Sequence, residues 1–400
     1  MPDAVIVATG RTPIGRANKG SLVSCLPDNL AADVMKAVVA KIPQLDPQQI
    51  EDVIMGCGMP AGESGHNLGR VAGLLAGWDV PGVTVNRYCA SSVVAMRMAA
   101  HAIRAGEGDV FVAAGVEAVS RYPNGFADAG PHNPAFAEAE ARTAARSSAV
   151  TEPWTPLKGL PDPYIAMGQT AENVAEQEKV SREDMDRFAC LSQNRAVESQ
   201  NNGFFEKEII PVTLDDGTVV SKDDGPRPGT TMEVLAQLKP AFREGGSVTA
   251  GNSCPLNDGA AAVVVMSDTK ASELGITPLA RIVSSGVSSL NPEIMGLGPI
   301  EASRQALRRA NMTMDDIDLV EINEAFAAQI VPATKYLGID WEKLNVNGGA
   351  IALGHPFGMT GVRIMTTLLN ALEHENKTYG LETMCTAGGQ GMAMIVERLS

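Results

Sequence analysis

Apolar positions recur along this chain in two rhythms, and the rhythms follow one another in the same order twice. Residues 4–10, AVIVATG, and 280–286, ARIVSSG, are apolar runs closed by glycine and read as buried strands. Residues 30–41, LAADVMKAVVAK, and 300–310, IEASRQALRRA, carry apolar residues at helical spacing. IEDVIMG at 50–56 and IDLVEIN at 317–323 then read as further buried strands. Residues 84–106 and 345–372 each run from Val-Asn through a turn of small residues into an amphipathic helix. After each comes another strand, DVFVAAG at 109–115 and YGLETMC at 379–385.

The second series closes with GMAMIVERLS at 391–400, across the turn TAGGQ. The matching strand of the first, GAAAVVVMSD at 259–268, arrives only after an excursion from about residue 120 to 250 that is richer in proline, glycine and polar residues. Segment pairs recurring in one order predict a duplicated α/β core with a loop-rich domain inserted in its first half. The expected divisions are 1–120 with 251–275, the insertion 121–250, and 276–400. Strands that are apolar throughout and alternate with helices predict mainly parallel sheets covered on both faces. Ligands of such sheets collect at the carboxyl ends of the strands, where this chain places NRYCASS, NGGAIALGHPFG and MCTAGGQG.

Composition narrows the classes. Four hundred residues, 44% hydrophobic and 20% charged, describe a globular chain with a large core. A net charge of −15 argues against nucleic-acid or anionic-membrane partners, which select clustered positive charge. With no apolar run near the roughly 18 residues that span a bilayer, and a start that enters a strand pattern directly, the chain reads as cytoplasmic. Its six cysteines lack metal-type pairing, so neither a zinc site nor a disulfide framework is expected.

All three of those loops carry candidate chemistry. Cys89 lies between a strand and a helix beginning near Ser91, where the helix dipole and free N–H groups favour a thiolate nucleophile; a structural thiol is the alternative. His355 sits between glycine and proline in the glycine-rich stretch 345–361, as a turn histidine or as the base activating that thiol. Cys385 precedes TAGGQG, a loop that either supplies N–H groups to an oxyanion or forms only a hairpin turn. Asn323 is either a helix cap or a buried amide holding a catalytic water.

These residues resemble the thiolase family of acyl-coenzyme A acetyltransferases and 3-ketoacyl-CoA thiolases. The likeness spans essentially the whole chain and rests on the Cys89 loop, NEAFA at 323–327, GGAIALGHPFGMTG at 348–361 and Cys385 with its glycine loop. MGQTAENVA, RPGTTMEVLAQLKPAF and TAGNSCPLNDGAA are similar to thiolase segments nearer the degradative branch. The resemblance implies that Cys89 carries the acyl group, His355 activates it, and Cys385 is acid and base at the acetyl carbon. It implies oxyanion contacts from the N–H groups of Cys89 and Ala387 and from an Asn323-held water. Coenzyme A would bind as a substrate, with Arg227 at its nucleotide and Met167, Phe242, Ala250, Cys254 and Phe326 around the pantetheine and acyl groups. No metal or redox cofactor is implied, and a homodimer or homotetramer is. The implied reaction is cleavage of 3-ketoacyl-CoA by coenzyme A, or the reverse Claisen condensation. The alternatives are a condensing enzyme of the same fold and a catalytically silent lipid-binding or scaffold protein. Ser92 and Ala387 stand where the family has glycine, Cys254 where it often has serine, and Val234 at a usually polar contact.

Overall fold

The computed structural model describes residues 2–124, 130–148, 153–156 and 158–400. All the others except residue 1 fall within the predicted insertion. Nine strands lie side by side: β1 (Ala4–Arg11), β2 (Asp52–Gly56), β3 (Gly82–Val85), β4 (Val110–Ala118), β5 (Asn257–Ser267), β6 (Ala280–Ser289), β7 (Leu319–Ile322), β8 (Tyr379–Thr386) and β9 (Gln390–Arg398). Their spatial order is β7-β8-β9-β6-β1-β5-β4-β2-β3. The first half therefore reads β3-β2-β4-β5-β1 and the second β7-β8-β9-β6, the same arrangement with one strand missing. Where the second half lacks its edge strand, a lone parallel bridge joins Val320 to Leu344. The halves meet where β1 pairs β6, with Val5 opposite Arg281 and Ile6 opposite Ala280.

The expectation of mainly parallel sheets is corrected. Only β2 with β3, β2 with β4, and β7 with β8 run parallel. The pairs β1/β5, β4/β5, β8/β9, β6/β9 and β1/β6 are antiparallel. The closing strand of each half is the cause. β9 follows β8 through a three-residue turn, and so short a link permits only antiparallel pairing. Continuous apolarity reports burial on both faces, and antiparallel strands in the middle of a layered molecule share it.

Helices complete the layers. Along β5, Ala261, Val263 and Val265 face one core cluster, while Ala260, Ala262, Val264 and Met266 face another. That period of two puts helix α1 (Pro27–Val39) on the outer face of the first half. Between the halves lie α2 (Ser91–Ala105) and α3 (Thr360–His374), the matching helices of the two repeats. Every residue of α3 from Thr360 to Leu372 is buried, as expected of a helix enclosed by protein on all sides. Helices of the predicted insertion, Met167–Glu178 and Arg182–Asn201, pack with the second half, where Ala171, Met185 and Phe188 join the outer cluster.

The two central helices meet at their N-termini. A Cβ on Gly361 would lie 2.4 Å from Val93 Cγ2, so only glycine permits this approach. Beside it Val362, in the first turn of α3, has an N–H with no intrahelical partner. Ser92 Oγ accepts it at 3.1 Å, so a residue that departs from the family pattern caps the opposite helix. Ser92→Gly is expected to cost about 1–3 kcal/mol, through an unsatisfied buried N–H and a glycine within a helix. Thermal unfolding checks this; an unchanged melting temperature would show that the cap is energetically idle.

Candidate active site

The nucleophile loop is built by local hydrogen bonds. Asn86 Oδ1 accepts the Tyr88 N–H at 2.7 Å, and Tyr88 takes a left-handed φ of 45°. Ser91 Oγ donates to the Tyr88 carbonyl and accepts the Arg87 N–H. Cys89 is thereby held in a single 3-10 turn, Tyr88–Ala90, that leads into α2. Arg87 Nη1 donates to Gln390 Oε1 at 2.5 Å, tying this loop to the β8–β9 hairpin. In that hairpin Ala387 is followed by Gly388 and Gly389 at φ 76° and 74°. The loop is thus the hairpin turn its position requires, and the Ala387 N–H, together with that of Cys89 itself, also favours negative charge on the Cys89 sulfur.

Those N–H groups do not make a resting thiolate. The Cys89 thiol is pushed well above its ordinary range, first by burial and then by neighbouring Cys385 and Cys254. The sulfur's enclosure between the halves outweighs the helix terminus that favours a thiolate. A base must remove the proton.

His355 is suited to that. Gly354 before it takes φ 116°, and any Cβ there would lie 2.6 Å from the Asn257 side chain. Asn257 Oδ1 accepts the His355 N–H at 2.9 Å, fixing the loop to β5. Thr360 Oγ donates to the Pro356 carbonyl and therefore accepts from His355 Nδ1, at 2.6 Å. The unprotonated nitrogen is then Nε2, 3.3 Å from Asn323 Nδ2. Burial, followed by the nearby Arg363 guanidinium, lowers the imidazole to about 3, so it rests neutral and able to accept a proton.

Asn323 directly follows β7, and its buried Oδ1 has no hydrogen-bond partner among the described residues. Gln329, in the helix Ala327–Leu337, donates to the Asn323 carbonyl at 3.1 Å and accepts from Cys385 Sγ at 3.1 Å. Cys385 is fully buried and pushed up to about 12 by burial, against which the Gln329 bond acts weakly. It is a thiol with a proton to give. Cys254, likewise raised to about 12 by burial and then by Cys385 and Glu324, bonds through its N–H to the Ala325 carbonyl.

A cavity of about 620 Å³ opens above Cys89, with Ala387, Phe357, Tyr88 and Met167 in its walls. Of the expected substrate residues only Met167 lines it. Phe242 packs edge-on to Phe326 at 5.8 Å and covers Gly168. Ala250, Val234 and Arg227 are exposed. Arg227 forms no ion pair among the described residues, and its N–H is held by Gln193 Oε1.

Sequence reasoning missed Gln329, Thr360, Asn257 and Glu117. Glu117 Oε2 accepts the N–H groups of Gly58 and Gly358, at 2.7 and 2.9 Å, pinning the His355 loop over β2 and β4. A buried acid ending the apolar strand DVFVAAGVEA was the available signal. Gln329 left none, because its partner Cys385 is 56 residues away.

Helices and antiparallel strands in a duplicated layered core, with a buried thiol, a neutral histidine and a second thiol at one junction, define a cysteine-dependent α/β enzyme class. Comparison with known proteins specifies it further. Residues 4–269 match the thiolase N-terminal domain and residues 276–398 the thiolase C-terminal domain. The chain is 44% identical to the 3-oxoadipyl-CoA/3-oxo-5,6-dehydrosuberyl-CoA thiolase of Escherichia coli K12, over all of both chains. It is 41% identical to a 3-ketoacyl-CoA thiolase of Bacillus subtilis, over 99% of this chain and 100% of the other. The crystal structure of the Bacillus anthracis acetyl-CoA acetyltransferase superposes with a TM-score of 0.86 at 38% identity, covering 100% of this chain and 99% of that one. The chain belongs to the thiolase family.

The lowered His355 has a consequence for stability. An unfolded histidine near 6.5 binds protons that the folded one, near 3, does not. Stability from this group is complete above pH 6.5 and is lost as pH falls from there towards 3, at up to about 1.4 kcal/mol per pH unit. Urea unfolding between pH 7 and 5 should therefore be steeper in pH for wild type than for His355→Gln. Parallel curves would mean that the imidazole is solvated.

Proposed function

We propose that this enzyme is an acyl-CoA acetyltransferase that cleaves 3-ketoacyl-CoA with coenzyme A, and catalyses the reverse condensation, through an acyl group on Cys89. The observation that carries the reading is the meeting at one junction of Cys89, flanked by the Ala387 N–H and with Cys385 as a neighbour, and His355, whose Nε2 lies 3.3 Å from the Asn323 amide, while Gln329 links the Asn323 carbonyl to Cys385 Sγ. The family membership and the names of the relatives support the same reaction.

In cleavage, His355 Nε2 takes the Cys89 proton and the thiolate adds to the C3 carbonyl, whose oxyanion is met by the N–H groups of Cys89 and Ala387. The C2–C3 bond then breaks. Acetyl-CoA leaves as an enolate and takes its proton from Cys385, while the Asn323 amide and His355 serve the thioester oxygen. In the second half-reaction the Cys385 thiolate takes the proton of coenzyme A, and the new thiolate attacks the acyl-enzyme. Cys89 departs with the proton held by His355. Protons and thiols balance, and no metal or redox cofactor enters.

Arg227, exposed and without an acidic partner, suits a phosphate of coenzyme A. Self-association is part of this reading. Strand β3 pairs only with β2 and stays half-exposed. Leu74 and Leu75, 55% and 47% exposed on the helix Leu68–Leu75, add an apolar edge beside it. No helix among the described residues is long and apolar enough to cross a membrane, and we read the chain as cytoplasmic.

The two thiols should fail differently. Cys89→Ala should leave no acetyl group on the protein after incubation with acetyl-CoA, by intact-protein mass spectrometry. Cys385→Ala should still acetylate Cys89 but lose deuterium uptake into the acetyl methyl group in heavy water, by proton NMR. Full exchange and thiolysis in Cys385→Ala would favour the condensing-enzyme alternative, and a wild type that never acetylates would favour the silent one. Arg227→Ala should weaken coenzyme A far more than a pantetheine thioester lacking the nucleotide; equal weakening removes Arg227 from the site.

A further inference from the structure

Two buried acids lie next to the thioester-oxygen site, and the mechanism above uses neither. On β7, Val320 and Ile322 join the outer cluster and Leu319 the cluster that contains α3, so the strand's period of two turns Glu321 and then Asn323 towards α3. On β8, Leu381 joins the outer cluster and Met384 the inner one, which turns Glu382 the same way. Glu321 and Glu382 are register partners across this parallel pair, 2% and 0% exposed. Two carboxyl groups thus stand side by side, two residues before Asn323.

Arg363 comes to them from α3. It follows Thr360, the partner of His355 Nδ1, by three residues and precedes Thr367 by four, so all three share a helix face. It is 1% exposed, and its charge acts on Glu321, Glu382 and His355 alike.

Hydrogen bonding decides which of these groups keeps a charge. Among the described residues Arg363 Nε and Nη1, Glu382 Oε1 and Oε2, and Glu321 Oε2 are buried without a hydrogen-bond partner. The neighbouring acids are served: Glu208 by Arg11 and Thr367, Asp223 by Arg11, and Glu324 by Ser192, Asn345 and the Ile351 N–H. Those three acids already outnumber Arg11 and Arg363, so an ionised Glu321 or Glu382 would be a surplus anion with its oxygens unserved. The charged groups acting on Glu321 are Arg363 from α3, Glu324 just beyond β7, Glu208 after the turn at Phe204, and Arg195 from the helix Arg182–Asn201; on Glu382 they are Arg363 and Glu321. Burial prevails over all of them and raises Glu321 to about 8 and Glu382 well up.

With both acids protonated, Arg363 is a fixed positive charge without a paired anion, one helical turn from the residue that orients His355. A fixed charge placed where negative charge develops stabilises the transition state without reorganising. Resting on the thiolase reading above, we propose that Arg363 supports the enolate formed at Asn323 and His355, and that Glu321 and Glu382 leave it free to do so by holding their protons.

The test reads deuterium uptake into the methyl group of acetyl-CoA, a step that passes through the enolate, by proton NMR from pH 7 to 9.5. The rate of Glu321→Gln relative to wild type should rise at least about tenfold over that range, since wild-type Glu321 ionises within it and glutamine has no proton to lose. A constant ratio overturns the proposal and leaves the thiolase reading intact, whereas a wild type that neither acetylates nor exchanges overturns that reading and the proposal with it. Arg363→Met should slow exchange at least about tenfold more than it slows acetylation of Cys89. Equal slowing would make Arg363 a structural group and overturn its role; if this variant does not fold, the pH ratio decides. Urea unfolding reads the protonation without turnover. Between pH 5 and 8 wild type should lose stability relative to Glu321→Gln, because the unfolded chain releases near 4.5 a proton that the folded protein holds to about 8. Parallel curves overturn the proposal, and Glu382→Gln takes the place of Glu321→Gln should the latter not fold.

Discussion

Everything at this site depends on the close crossing of α2 and α3, one helix from each repeat, in the layer between the two halves. At that crossing Gly361 leaves no room for a side chain beside Val93, and Ser92 Oγ holds the Val362 N–H. Cys89 lies two residues before α2 proper and His355 five residues before α3. Fixing the helix ends therefore fixes nucleophile and base together. Each loop then needs only a few bonds to set its side chain: Asn86 and Ser91 for one, Thr360 and the distant Asn257 of β5 for the other.

Burial between the halves also sets the protonation states. It raises three thiols, Cys89, Cys254 and Cys385, and lowers His355. A resting site of neutral groups avoids a standing charge in a low-dielectric layer, and charge develops only as a proton moves from sulfur to nitrogen. Elsewhere among the buried residues a charge persists where carboxylates gather around a guanidinium. Arg11 holds Asp223 through two bonds of 2.7 and 3.0 Å and Glu208 through one of 2.8 Å. Where pairing is incomplete, the acids are pushed towards neutrality. Glu321 rises to about 8, and Glu382, opposite it on β8, is also pushed well up, in both cases by burial against the pull of Arg363.

Much of the architecture could be read from local signals. The repeat of strand, helix, strand, loop and helix survives as β1, α1, β2 and α2 in one half, and as β6, the helix Gly298–Ala310, β7 and α3 in the other. Each element's apolar period is a property of neighbouring residues. The direction of pairing could not be read this way. AVIVATG and GAAAVVVMSD are equally apolar whether their partner runs with or against them, and the short β8–β9 turn and the return after the insertion decided it. The substrate residues show the same limit. Met167 reaches the cavity, whereas Phe242 and Phe326 pack on each other beside it.

The sequence by itself determined which atoms are available for chemistry and where the chain turns sharply enough to present them: Cys89 before a helix, His355 after Gly354, Cys385 before two glycines with positive φ. Only the tertiary structure decided what state those atoms rest in and which groups serve them. The ionisation of a thiol or imidazole depends on how much water surrounds it, and Gln329, Thr360 and Glu117 act across sequence separations of 56, 5 and 241 residues. Periodicity records the near neighbours of a residue. Burial and long-range hydrogen bonds are properties of the packed layers, and they exist only once both halves have closed around the crossing of α2 and α3.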